Sequence, residues 1–198
     1  MSRVEVRFAL SRVGQALREP EAFACHWNEG RVRYPFAVWS ALLATAVLGA
    51  VTYGMTMGLM GGAGNILLKS AALTLAAGLA WAIPLPALYI LNSLSGSRLS
   101  ASSTLLAALV TVSWGGLAMI ASIPINWFFT VAVPHPGFVL LVNLVVFAGV
   151  GVAMIDVFRR VMHRLEPTHA TPTWWLILVS VIGAEFFYRF ELFHFAAN

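Results

Sequence analysis

Five apolar runs, at about 36–59, 66–91, 102–123, 137–158 and 173–194, set the terms on which this chain can fold. Each reaches or passes the roughly 20 residues that an α-helix needs to cross about 30 Å of hydrocarbon. In oil the backbone N–H and C=O groups have no water to bond, so the runs predict helices, which pair those groups internally. Composition agrees: 60% of the 198 residues are apolar and 10% are charged, against roughly 45–50% and about 25% in a soluble domain. A soluble fold of this size could not hide so much apolar surface. The expected fold class is all-α: a polytopic integral membrane helix bundle of five transmembrane helices over 35–198, preceded by an N-terminal amphipathic helix within a cytoplasmic segment, 1–34.

Basic residues give the orientation. Ten of the twelve Lys and Arg lie before span one, in the loop between spans two and three (Arg98), or between spans four and five (Arg159, Arg160, Arg164). The positive-inside rule places all of these in the cytoplasm, leaving Lys69 and Arg189 on the other side. The N-terminus is then cytoplasmic and the C-terminus outside. Trp39, Trp127, Trp174 and Trp175 lie near run ends, where an amphipathic ring prefers the headgroup level. The formal charge of +4 reports this orientation rather than a nucleic-acid partner. The first run begins near Pro35 and is too long for a signal h-region, so span one is expected to serve as its own insertion signal. Cys25 is the only cysteine, which excludes an intrachain disulfide and a Cys-rich metal site.

Residues 3–18 (RVEVRFALSRVGQALR) read as the amphipathic helix, with Val6, Leu10, Val13 and Leu17 on one face. Arg3, Arg7 and Arg18 fall beside that stripe, as contacts for anionic headgroups of the bilayer. The same helix could instead pack on the protein's own cytoplasmic face. Pro20 breaks the run and can open a second short helix, closed by Gly30.

Two intramembrane features could carry function. Pro84 and Pro86 interrupt span two ahead of Asn92, Ser93 and Ser95, and such a break frees backbone carbonyls. It could line a transport path or be a packing kink. Glu185 and Arg189, at i and i+4 on span five, share one helix face and can pair. They could form a proton or substrate site, a structural ion pair, or a polar contact to a neighbouring subunit. Asp156 needs no more than a salt bridge to the arginines one turn on. Met55, Met57 and Met60 are soft enough for Cu(I), yet no His or Cys stands near them, and no metal site is expected. The histidines occupy loops and flanks, so no pair at matched depth is available for a haem. The run Gly54-xxx-Gly58-xxx-Gly62, with Gly115, Gly116, Gly149 and Gly151, points to close helix packing. No catalytic motif is found and no cofactor is predicted.

The layout, with its charged N-terminal helix, five spans and the loop LNSLSGSRLS (91–100) before a small-residue-rich span three, resembles the bacterial branch of the YIP (Ypt-interacting protein) superfamily of five-span membrane proteins. The resemblance covers most of the chain and rests on this layout and on LSGSRLSASSTLLA (94–107). It implies a membrane-embedded helper or scaffold, and a bacterial inner (cytoplasmic) membrane location. It supplies no catalytic residues. The function expected is a non-enzymatic scaffold or accessory subunit that has other membrane protein subunits as partners. The alternatives are a small transporter or channel subunit, or a subunit of a cofactor-bearing redox or pigment complex.

Overall fold

A computed structural model describes the backbone of residues 3–168 and 173–195 and the side chains of 7–168 and 174–195. The side chains of Arg3 and Val6 and the connecting residues 169–172 lie outside the described residues. Within them the chain is helical, with no strand. Helices α1 (Arg3–Arg18) and α2 (Pro20–Asn28) precede α3 (Phe36–Met57), α4 (Gly62–Ala82), α5 (Leu85–Leu94), α6 (Ala101–Ala132), α7 (Pro136–Leu165) and α8 (Thr173–Arg189). Four segments are long and apolar enough to cross a membrane: Phe36–Met57, Leu59–Leu94, Ala101–Ala132 and Pro136–Leu165. At 17 residues α8 is shorter. With 32 and 30 residues, α6 and α7 reach about 48 and 45 Å, more than hydrocarbon alone requires.

Local chemistry sets the helix ends. Pro20 is the first residue of α2, and Gly30 makes the turn after it at φ 70°. Ser100 caps α6 by accepting from the Ser103 amide at 3.1 Å, which satisfies one of the orphan donors of the first turn. The second apolar run is broken where expected: α4 stops at Ala82 and α5 starts at Leu85, with Pro84 between them. The buried Trp175 indole donates to the Pro84 carbonyl at 2.9 Å and so braces the break.

Five helices form an open arc in the order α8, α4, α3, α6, α7, each packed on the next. Glycine makes the inner seams tight. A Cβ on Gly49 would stand 2.2 Å from the Gly116 carbonyl oxygen, and one on Gly54 would stand 2.7 Å from Ser70 Cα. Ser113 and Ser70 add hydroxyl donors to the carbonyls of Leu42 (2.7 Å) and Val51 (3.1 Å) on α3. The glycine spacing in span one thus serves packing within the chain.

The two short helices close one end of the arc, called the near end here. Helix α1 buries Ala9, Val13 and Ala16 beside Leu42 and Val110. Leu10, which the sequence groups with Val13 and Leu17 on one apolar face, is 61% exposed. The buried stripe is turned by one residue because Ala9 and Ala16 allow a closer approach to α3 than a leucine would. Phe23 stacks on Tyr34 at 4.1 Å, and burial raises the Tyr34 hydroxyl above its ordinary pKa. Arg160 pairs with Asp156 (2.9 Å) and with Glu21 of α2. Trp175 also differs from expectation. It is fully buried between Trp81 and Phe158 rather than held at a headgroup level.

Candidate functional site

Two polar devices lie among the long helices, both toward the far end of the arc. In the first, Tyr53 Oη donates to Asn143 Oδ1 (2.9 Å), and Asn143 Nδ2 donates to Asn126 Oδ1 (3.1 Å) and the Val139 carbonyl (2.8 Å). Asn126 Nδ2 donates to Thr56 Oγ1 (2.8 Å), whose hydroxyl donates to the Tyr53 carbonyl (2.6 Å). The loop of bonds joins α3, α6 and α7 and is buried throughout. In a bilayer each such bond stabilises by only about 0.6 kcal/mol on average, but a broken member leaves buried partners unmatched. Each of these two amides meets a partner on another helix, so these groups lock the arc.

The second device fastens the end of α8. Glu191 adopts φ 50°, the left-handed conformation that favours glycine. The turn around it carries the bonds of a helix-ending motif: Leu192 N to Phe187 O and Glu191 N to Tyr188 O, both 3.0 Å,. Lys69, buried near the start of α4, donates to the carbonyl of Leu192 at 3.2 Å and to that of Glu191. A cation on those carbonyls also opposes the negative end of the helix dipole. The segment after α8 therefore folds back, burying Leu192 and Phe195 beside Tyr53 and Met57.

The concave side of the arc encloses a cavity of about 900 Å³. Its back wall is small: Ala46 and Ala50 of α3, Ala77 and Ala80 of α4, and Gly115 and Gly116 of α6. Trp81 lines its near end. Helices α7 and α8 make almost no close backbone approach. Aromatic rings bridge them instead, Phe158 on Trp175 (5.1 Å) at the near end and Phe147 on Phe187 (5.0 Å) and Phe193 (5.8 Å) at the far end. Between those spacers, exposed residues of α7 (Ala148) and α8 (Ser180, Ala184) belong to the cavity wall. The cavity thus reaches the flank of the bundle through the α7–α8 seam. Its polar lining gathers at the far end, with Arg189, Glu191 and His194.

The residues singled out from the sequence fall in separate places. Pro84 lies at the near end under Trp175, and Asn92 is buried on α5. Glu185 and Arg189 pair at 2.7 Å, with 57% and 72% of their side chains exposed, and Arg189 lies at the rim of the cavity. Ten residues of α8 separate Trp175 from Glu185, or roughly 15 Å, so the structure does not bring the proline break and the ion pair together. Arg7 and Arg18 are exposed on α1. Met55 is exposed while Met57 is buried, so they do not converge. Among the described residues no cluster of three or more His, Cys, Asp or Glu side chains could hold a metal ion. The sequence reading missed Tyr53, Asn126 and Asn143, although a lone asparagine within LLVNLVV was a visible signal. No family of known proteins matches the chain, nor does any curated protein or solved structure.

Proposed function

We propose that this chain is a non-enzymatic integral membrane protein, a scaffold or accessory subunit of a larger membrane complex, with five spans. Its N-terminus is cytoplasmic and its C-terminus outside, as the distribution of basic residues implies, and its place is a bacterial inner membrane, in keeping with the resemblance of its layout to bacterial YIP-like proteins. The observation that carries this reading is the division of labour inside the arc. Its buried amides bond to one another, while the large cavity they leave is walled by apolar and small side chains. Such a surface recognises apolar shapes and offers no reactive constellation.

Two further features support the finer topology. Helix α8 runs along α4, and Lys69, two turns into α4, bonds to the carbonyls of its closing turn, so 17 residues of helix are continued by a turn that buries Leu192. On α1 the face away from the bundle carries Arg7 and Arg18, flanked by exposed Phe8 and Leu10. That pairing of guanidinium and apolar side chains suits a headgroup layer. The test is purification of the full-length protein from its native membrane in mild detergent. Stoichiometric membrane subunits are expected to accompany it, and a lone polypeptide overturns the assignment.

A further inference from the structure

The geometry points to the cavity between α7 and α8 as a binding site for one phospholipid of the phosphoethanolamine type. One acyl chain enters sideways through the seam, and the headgroup rests at the far end beside Arg189, Glu191 and His194.

Volume opens the argument. Protein interiors are close-packed, and voids larger than a water molecule are few. A groove of about 900 Å³, open on one side, leaves its apolar lining short of dispersion partners unless a neighbouring molecule fills it. Water is a poor tenant, since a bound water needs two to four polar partners and the walls at mid-depth are alanine, glycine and aromatic carbon. The seam gives onto the flank of the bundle, which meets hydrocarbon. Exposed Val152 and Val181 stand on its two sides and offer a track for the lipid's second chain. Along α8 the cavity runs from Val179 to Arg189, ten residues or roughly 15 Å, which is the reach of an extended acyl chain rather than of a compact apolar metabolite.

Charge at the mouth chooses the headgroup. Arg189 spends its Nε on Glu185, which leaves its remaining N–H donors for a phosphate, a pairing that suits a guanidinium. Glu191 at the same mouth is placed to meet an ammonium. One anion site beside one cation site fits a zwitterionic amino-phospholipid better than an anionic one. Open space stands at Gly151, which lines the cavity: a Cβ there would meet nothing within 4 Å. A larger side chain there therefore fills the cavity without striking backbone.

This inference stands apart from the accessory-subunit reading, because a lone polypeptide that carries lipid would sink that reading and leave this one. The experiment is native mass spectrometry of the full chain, delipidated in detergent and then titrated with phosphatidylethanolamine or phosphatidylglycerol of matched chains. One phosphatidylethanolamine per chain is expected, held at least tenfold more tightly than phosphatidylglycerol. Gly151→Phe is expected to reduce binding at least tenfold, and Arg189→Gln to abolish the headgroup preference while some binding remains. Circular dichroism and melting of each variant verify folding, and Ala184→Leu, across the seam, serves as a second block. Undiminished binding in folded Gly151→Phe and Ala184→Leu, equal affinity for both lipids, or no bound lipid in the wild type would each overturn the site.

Discussion

Asn143 bonds to residues of α3 and α6 and to its own helix at once. Asn143→Leu keeps much of the volume but strands the Tyr53 hydroxyl and the Asn126 carbonyl oxygen. A loss of about 1–3 kcal/mol is expected, measured as unfolding in mixed micelles. Tyr53→Phe removes one donor and is expected to cost nearer 0.6 kcal/mol. A double-mutant cycle between the two should show coupling, and additive losses would mean the bonds are not made. Glu191 offers the opposite sign: Glu191→Gly relieves a left-handed residue and is expected to stabilise by about 0.5–1 kcal/mol. Of this site the sequence showed an amide inside an apolar run. Its partners lie 17 to 90 residues away, a distance over which one chain's periodicity carries no information.

Helices were the legible level, and seams were not. Apolar length marked where α3, α6 and α7 begin, because the need to pair backbone groups in oil leaves few alternatives, but α6 and α7 run on to Ala132 and Leu165, well past the apolar runs that end near 123 and 158. What periodicity could not rank was which apolar face turns inward when nearly every face is apolar. Trp175 is the example: its place near a run end suggested a headgroup belt, yet it stacks on Phe158 and bonds to Pro84. Lys69 likewise read as a flanking charge, and it instead holds the last turn of α8. Lys69→Met keeps the aliphatic stem and removes the cation, so amide exchange at Glu191 and Leu192 is expected to quicken at least tenfold while α3 and α6 keep their protection. Uniform protection throughout would show that the turn holds itself. At the near end, burial, with Glu29 adding, raises the Cys25 thiol above its ordinary pKa. The folded state thus favours the protonated thiol. Its contribution to stability is complete below the ordinary thiol range and is lost as pH rises through the raised folded-state value. Alkylation of folded protein should accordingly need a higher pH than alkylation of unfolded protein, and coincident profiles would contradict the burial.

At the scale of the molecule, five helices in an arc line an apolar hollow, and two short helices tie the near ends of α3, α6 and α7 together. Glu166 adds to that tie by accepting from the Arg98 amide at 2.6 Å, which joins the 95–100 loop to the end of α7. In the proposed five-span topology α8 runs the full depth beside α4, on which it packs. The residues after it must therefore emerge with the α6–α7 loop, opposite the α5–α6 loop. Cysteine accessibility in intact cells tests this most directly, with Ser95→Cys, His135→Cys and His194→Cys each placed in a Cys25→Ser background and treated with an impermeant maleimide. All three positions are exposed. The account predicts labelling of positions 135 and 194 from outside, and of position 95 only after the membrane is opened. Labelling of position 95 from outside, or of position 194 together with position 95, would contradict it.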